Sequence, residues 1–198
     1  MNAKKLITGA VILAVAATAA FSAPKKRKGD WYNSYPRQIK EGNLLVNAGI
    51  GLDNQLGEDY LDSYIPPLEA SVEYVYPLAD LPFGFGAFMG YSSYTTKYSI
   101  LGTTWETKTN VFYSGAMVNY HFNLVDEIDL YGSVRTGFDY ESVKSKTTGL
   151  ADESTSAFGF HYGMAAGATY YFSDMFGVNA EVGFPTILRV AASFKFKL

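Results

Sequence analysis

The sequence predicts an all-β fold, an eight-stranded antiparallel transmembrane β-barrel with an up-and-down meander. Three observations predict it. Apolar residues alternate with small or polar residues at a period of two, as they do in strands whose two faces meet different surroundings. Tyr and Phe are abundant, at 16 and 14 of 198 residues, and they gather near the ends of the apolar faces. The connections between the predicted strands alternate between long and short, which is typical of barrels that cross a membrane.

The stretch from Phe158 to Phe172 shows the alternation most clearly. Its apolar face carries aromatic rings at both ends and Met164, Ala166 and Ala168 near the middle, whereas its other face is mostly small residues. Aromatic rings settle at the two membrane interfaces, and hydrocarbon lies between them. This stretch is therefore predicted to cross a bilayer as one strand.

The same alternation predicts seven further strands. In chain order, with the stretch above as the sixth, the predicted strands are Leu44–Leu52, Leu68–Tyr76, Phe83–Tyr91, Phe112–Phe122, Leu130–Phe138, Phe158–Phe172, Phe176–Phe184 and Leu188–Leu198. Their apolar faces carry no Asp, Glu, Lys or Arg, although 18% of the chain is charged. This exclusion indicates a lipid-facing surface, where an Arg or Lys at mid-membrane costs about 2–4 kcal/mol.

The connections supply independent information about orientation. The long and polar ones are residues 53–67, 92–111 and 139–157. The short ones are residues 77–82, 123–129 and 173–175, together with the seventh, Pro185 to Ile187, which breaks the alternation by being short. Outer-membrane barrels have long extracellular loops and short periplasmic turns, so eight strands place both termini in the periplasm.

The N-terminal residues predict export. Residues 1–22 have the features of a secretory signal peptide, because two lysines precede the apolar run Leu6–Ala17 and Ala20-Phe21-Ser22 supplies a small-x-small cleavage site. The alternative is a retained membrane anchor, but the apolar run is short for a helical span.

Two further segments complete the predicted domain organisation. Residues 23–42 form a periplasmic N-terminal extension, whose basic run Lys25–Lys28 is either solvated or in contact with anionic headgroups or cell-wall polymer. Residues 43–198 form the barrel. The net charge of −3 argues against a nucleic-acid partner, and the absence of Cys excludes disulfides and thiolate sites.

A secreted soluble barrel or sandwich with the aromatic face inside is the main alternative fold. The interior of an eight-stranded barrel is only just filled by side chains, so it has no room for the many large residues of the apolar faces. The opposite faces carry many glycines, as at Gly159, Gly163 and Gly167, where a solvated face would carry Lys, Glu and Thr. The membrane barrel is therefore the favoured prediction.

Two segments resemble a known family. The stretch Tyr120–Gly132, YHFNLVDEIDLYG, resembles a strand–turn–strand junction, and the C-terminal AASFKFKL resembles an assembly signal, although it ends in Leu198 rather than an aromatic residue. Residues 43–198 thus resemble the small eight-stranded bacterial outer-membrane β-barrel proteins of the OmpA, OmpX and OmpW type. The resemblance implies a cell outer-membrane location, contact with outer-membrane lipids, recognition of the C-terminal strand by the barrel assembly machinery, and a monomer.

Charged residues on the inward faces are the first candidate site. A lumen charge network is predicted from Glu69, Glu73, Arg135, Glu181 and Arg189. Buried charges must be paired, so the structural interpretation is a set of salt bridges that plugs the lumen. The functional alternative is a constriction that selects passing solutes.

No catalytic residue, cofactor site or metal site is predicted. Some barrels of the resembled class modify lipids with a His, a Ser and an acid, but His121 and His161 show no such local spacing. Acidic residues of the first long connection lack the spacing of a calcium loop; they are Asp53, Glu58, Asp59 and Asp62.

The long connections are the second candidate site. Tyr94, Tyr98 and Trp105 lie in the second of them among Thr residues, and exposed aromatics with adaptable polar groups suit contact with an extracellular protein or glycan. Alternatively, Trp105 folds back onto the barrel rim as an interface anchor. The predicted function is a non-enzymatic surface protein, structural or adhesive through its loops. An OmpW-like channel for small or hydrophobic solutes is the alternative, and a lipid-modifying enzyme comes third.

Overall fold

The computed structural model describes residues 39–51, 61–78, 81–125, 127–185 and 188–197. Within these ranges, eight strands pair in chain order, and β8 pairs with β1 to close an antiparallel barrel. The strands are β1 (Asn43–Gly51), β2 (Leu61–Leu78), β3 (Leu81–Ile100), β4 (Thr103–Val125), β5 (Ile128–Thr147), β6 (Glu153–Tyr171), β7 (Phe176–Phe184) and β8 (Leu188–Lys197). The predicted fold class is confirmed.

Several predicted features lie outside the described residues. They are the signal peptide, most of the N-terminal extension, three of the four acidic residues of the first connection (Asp53, Glu58 and Asp59) and the C-terminal Leu198. Within the part of the chain that the structure describes, no helix is long and apolar enough to span a membrane.

The inward and outward faces of the strands follow the predicted alternation. On β5, Val134 and Phe138 point outward and are 61% and 69% exposed. The two residues that flank Val134 in the sequence, Ser133 and Arg135, point inward and are buried. Aromatic rings meet across neighbouring strands at both ends of this outer surface, as in the Tyr140–Phe158 pair, whose ring centroids are 4.9 Å apart. The apolar face therefore lies on the outside of the barrel, where the sequence places lipid.

Four central strands are much longer than their apolar stretches. β3, β4, β5 and β6 have 20, 23, 20 and 19 residues, although a tilted strand needs only about 9–11 to cross a bilayer. The predicted long loops 92–111 and 139–157 are therefore wrong as loops. Most of their residues extend the β3–β4 and β5–β6 pairs, with turns at Leu101–Gly102 and near Gly149.

The physical reason for this correction is the loss of alternation outside a bilayer. Beyond the membrane both faces of a strand meet water, so apolar residues no longer alternate with polar ones, although Thr, Tyr and Val still favour strands. We call the end of the barrel that carries these two projections the hairpin end. The opposite end, which carries Asn43 and Lys197, is the terminal end.

Glycines on the inner wall make room for large side chains. A Cβ on Gly90 would overlap the ring of Tyr113, and a Cβ on Gly167 would overlap the ring of Tyr131. Both pairs are direct cross-strand neighbours. The glycine-rich face that the sequence places inside the barrel thus accommodates tyrosines that fill the lumen.

Candidate functional site: the barrel lumen and the β3–β4 hairpin

Four charged side chains from four strands meet in the lumen. We call Glu69 (β2), Arg135 (β5), Glu181 (β7) and Arg189 (β8) the lumen ion cluster. Arg135 donates from Nη1 to Glu69 Oε1 at 3.0 Å and from Nη2 to Glu181 Oε2 at 2.7 Å. Arg189 donates from Nη2 to Glu181 Oε2 at 2.7 Å and forms a second ion pair with Glu69. Each cation therefore bridges both carboxylates.

The cluster is buried and electrically balanced. Its four residues are between 5% and 9% exposed, and two guanidinium groups face two carboxylates, so the net charge is zero when all four are ionised. Each ion replaces lost hydration by contact with its counter-ions. Such an arrangement holds the strands at a fixed separation across the lumen.

Aromatic and amide side chains complete the packing around the lumen ion cluster. The Tyr131 hydroxyl donates to Glu181 Oε2 at 2.9 Å, and Asn179 Nδ2 donates to the Tyr131 hydroxyl at 2.9 Å. On the other side, the guanidinium carbon of Arg135 lies 5.7 Å from the ring centroid of Phe88. The rings of Phe88 and Tyr113 are neighbours, with their centroids 6.3 Å apart. The polar and aromatic groups together occupy the middle of the barrel.

A second buried group lies around His121 on β4. His121 Nε2 lies 2.6 Å from Glu73 Oε1, and His121 Nδ1 lies 2.9 Å from Asp129 Oδ2. Asn119 Nδ2 donates to Glu73 Oε2 at 2.6 Å. Ionised carboxylates only accept hydrogen bonds, so both ring nitrogens of His121 donate when the two acids are ionised. We call these four residues the His121 cluster.

The five residues of the predicted lumen network thus divide between two groups. The structure brings together Glu69, Arg135, Glu181 and Arg189, and it places Glu73 in the His121 cluster. The strands of a barrel are tilted, so residues that face each other in register lie at different heights. The position of a residue along its strand therefore does not give its height in the barrel, and Glu73 contacts His121 rather than Arg135.

The two histidines have different surroundings. Both ring nitrogens of His121 are engaged by carboxylates, which leaves no nitrogen to activate a hydroxyl. His161 stacks on Tyr113 with ring centroids 4.9 Å apart and an interplanar angle of 5°. Among the described residues, no group of three or more His, Cys, Asp or Glu could hold a metal ion.

The aromatic residues singled out in the second connection lie on the β3–β4 hairpin. Tyr98 and Trp105 are cross-strand neighbours close to the turn, and their rings stack with centroids 4.9 Å apart and an interplanar angle of 11°. Tyr94 lies four residues before Tyr98 on the same face of β3, opposite Thr109. Trp105 is far along β4 from Phe112, which lies at the aromatic rim. It stacks on the hairpin itself rather than on the barrel rim.

Sequence reasoning did not identify the amides that join the buried groups. Asn119 and Asn179 are 3% and 1% exposed and each bonds a charged or phenolic partner on another strand. Their only signal in the sequence is an Asn on a predicted inward face. That signal does not distinguish a network member from a rim residue.

The chain matches one family across most of its length. The sequence profile of the outer membrane protein β-barrel domain matches residues 13–195. No curated protein sequence matches the chain significantly.

Three solved structures are similar to the chain at low sequence identity. Ail, the attachment invasion locus protein of Yersinia pestis, in complex with the heparin analogue sucrose octasulfate, is 15% identical over 79% of this chain and 100% of its own, with a TM-score of 0.47. The N-terminal β-barrel domain of Pseudomonas aeruginosa OprF is 15% identical over 79% and 98%, with a TM-score of 0.45. Neisserial surface protein A is 16% identical over 79% and 96%, with a TM-score of 0.41.

Proposed function

The chain belongs to the outer membrane protein β-barrel domain family, and from this premise we propose that it is a non-enzymatic surface protein, structural or adhesive through its long hairpins. Family membership places it in the outer membrane, and the apolar outer face of the barrel is the surface that we propose contacts outer-membrane lipids. The observation that carries the proposal is the combination of a lumen filled by paired charges with a stacked aromatic pair, Tyr98 and Trp105, near the tip of a projecting hairpin.

The filled lumen favours a surface protein over a channel. The lumen ion cluster joins β2, β5, β7 and β8, and the Tyr113, Phe88 and His161 rings pack against one another towards the hairpin end. A solute path would have to separate ion pairs in surroundings of low dielectric constant, which is costly. We therefore propose that the cluster is a structural plug rather than a selectivity filter.

The histidine contacts favour a protein without enzymatic activity. The nitrogens of His121 are satisfied by Glu73 and Asp129, and His161 is stacked on Tyr113. A hydrolytic mechanism needs an imidazole nitrogen that faces a nucleophile. These contacts give each histidine a packing role.

The hairpin end is the proposed extracellular side. In outer-membrane barrels the long connections lie on the extracellular side and the short ones lie on the periplasmic side. Both termini of this chain therefore lie in the periplasm. β8 then presents its C-terminal residues to the barrel assembly machinery. The barrel closes through its own β1–β8 pairing, which supports a monomer. The ligand of the β3–β4 hairpin is a protein or a glycan.

Two measurements test the proposed function. In single-channel recordings of the purified barrel we expect no stable conducting level, and a reproducible open level would favour the channel alternative. For adhesion, cells that display the protein are compared with cells that display Trp105→Ala for retention on protein-coated or glycan-coated surfaces. Leu150→Ala, at an exposed residue of the other projection, is the matched control.

We expect Trp105→Ala to reduce retention and Leu150→Ala to leave it unchanged, because the proposal assigns contact to the aromatic hairpin. The amount of folded barrel on each cell is checked by heat-modifiable migration on a denaturing gel. Equal retention by all three proteins would contradict an adhesive role for the hairpin.

A further inference from the structure

The two projecting hairpins form one sheet with two chemically different faces. Register is unbroken from the barrel into β3, β4, β5 and β6, so the alternation of faces continues from the lumen to the turns. We call the surface continuous with the lumen wall the inner hairpin face. It carries Tyr94 and Tyr98 on β3, Trp105 on β4, Glu141 on β5 and Glu153 on β6.

The charges of the hairpins are segregated between the two faces. In residues 92–111 and 139–157, every lysine lies on the outer face; these are Lys97, Lys108, Lys144 and Lys146. On that face Lys97 pairs with Glu106 at 3.9 Å. The strand residues of the inner hairpin face are instead aromatic, acidic or uncharged. Asp139 adds a third carboxylate at its base, beside Gly159, where a Cβ would overlap the carboxylate.

The inner hairpin face is open to one side within the described residues. β7 pairs with β6 only as far as Met164, which lies opposite Phe184, and β6 continues beyond that point to Glu153. The residues from Glu153 to Phe158 are exposed on both faces of the strand. A ligand can therefore reach Glu153 from the side on which β7 and β8 have ended.

We propose that the inner hairpin face binds an extended segment of a lysine-rich or arginine-rich peptide. The inference rests on the proposed function, because it names the partner class of the same hairpin. Stacked Tyr98 and Trp105 offer π faces to a cation, and Glu141 and Glu153 offer counter-charges two and three strands away from β3. Neighbouring strands are about 4.8 Å apart. Glu141 also lies six residues along β5 from Thr147, the cross-strand partner of Trp105, which adds roughly 20 Å at about 3.3 Å per residue. An extended segment of about six to eight residues therefore spans the aromatic pair and Glu141.

Charge complementarity selects this partner over other classes. A phosphorylated or sulfated ligand would meet the carboxylates of Glu141 and Glu153 without a lysine on the same face. A neutral glycan would contact the aromatic rings, but it would gain nothing from the carboxylates or from the absence of lysines on this face. A basic peptide contacts both the aromatic residues of β3 and β4 and the carboxylates of β5 and β6. Its attraction to the face weakens as salt concentration rises.

The test measures binding of octalysine to the purified full-length barrel in detergent, by calorimetry at low and high salt. The paired variant Glu141→Gln with Glu153→Gln removes two negative charges from the inner hairpin face. Glu106→Gln is the matched control, because it removes a carboxylate from the outer face of the same hairpins. Trp105→Ala tests the aromatic half of the face. A neutral oligosaccharide and an octapeptide of Gly and Ser serve as uncharged ligands.

We expect octalysine to bind and the uncharged ligands not to bind. The paired variant should weaken binding about tenfold, as two partly exposed ion pairs would, and Trp105→Ala should also weaken it, whereas Glu106→Gln should change it less than twofold. Equal loss from Glu106→Gln, binding of the neutral oligosaccharide alone, or no binding of octalysine would each overturn the inference.

These outcomes are distinguishable from failure of the proposed function. If octalysine does not bind but Trp105→Ala still lowers surface retention of cells, the hairpin is adhesive towards a different partner. If Trp105→Ala leaves retention unchanged, the adhesive role itself fails, whatever octalysine does. Each variant is first checked for heat-modifiable migration, so that a loss of binding is measured only on folded barrels.

Discussion

The ring of Tyr113 on β4 occupies the space directly in front of Gly90 on β3, its cross-strand neighbour, so that a Cβ on Gly90 would overlap the phenol. The Tyr113 hydroxyl in turn lies 3.4 Å from Glu69 Oε2 in the lumen ion cluster. A glycine on one strand thus sets the position of a tyrosine that contacts a buried ion. The packing of the inner wall and the pairing of charges are coupled at this point.

Because a Cβ at position 90 would overlap the ring of Tyr113, we expect Gly90→Ala to destabilise the barrel by about 1–3 kcal/mol, the usual cost of overpacking a filled interior. The measurement is the free energy of unfolding of the detergent-solubilised or bilayer-inserted barrel. Gly132→Ala is the control, because nothing lies within 4 Å of a Cβ placed there. Adding Tyr113→Ala to Gly90→Ala should recover part of the cost relative to the sum of the single changes. Strict additivity would contradict the coupling.

Arg135→Ala should lower the unfolding temperature and leave single-channel conductance near zero. Removing the guanidinium leaves Glu69 and Glu181 with one counter-ion between them, and breaking a buried ion pair typically costs about 3–5 kcal/mol. Lys97→Ala is the control, since its ion pair with Glu106 is exposed. A clear rise in conductance with unchanged stability would instead assign the cluster to a solute path.

His121→Ala should be more destabilising than His161→Ala. The first change leaves Glu73 and Asp129 buried without their shared partner, which again costs about 3–5 kcal/mol. The second removes one stacked ring next to Tyr113, a contact worth about 0.5–1.5 kcal/mol beyond its buried area. Chemical unfolding of the two variants in the same detergent gives both values. The reverse order would mean that the His121 cluster is not a paired charge group.

An outward arginine should report where the membrane ends. Met164 and Ser156 both lie on the outward face of β6, and Met164 is 69% exposed. Met164→Arg should cost about 2–4 kcal/mol, because its guanidinium would enter hydrocarbon, whereas Ser156→Arg should be close to neutral. Unfolding free energies of both variants in lipid vesicles provide the comparison. Equal costs would mean that both residues lie in the same environment and would contradict a membrane edge between Met164 and Ser156.

The sequence predicts the membrane-crossing part of the fold better than the rest. The outward and inward positions of all eight strands follow from alternation, and the seventh strand is predicted to the residue, Phe176–Phe184. The projections of β3 to β6 could not be recognised in the same way, because alternation exists only where one face meets lipid and the other does not. In water, Thr103 and Glu106 can occupy the two faces of one strand without an apolar signal.

For the lumen ion cluster, burial of the charged residues could be predicted from the sequence, but their pairing could not. Burial of Glu69, Arg135, Glu181 and Arg189 follows from their inward phase and from the need of buried charges for partners. The pairing of these charges depends on the tilt of the strands, and no local sequence pattern predicts that tilt. Glu73 shows the difference, since it lies on the same strand face as Glu69 and yet contacts His121.

The lumen ion cluster also has a consequence for assembly. Its members come from β2, β5, β7 and β8, so the two glutamates receive both guanidinium groups only when the last strand has been added. A chain that stopped after β7 would enclose two carboxylates and a single arginine. Because such an interior holds an uncompensated charge, intermediates with an incomplete wall are higher in free energy. Insertion of β8 therefore both seals the wall and neutralises the interior, so closure tends towards a single cooperative step.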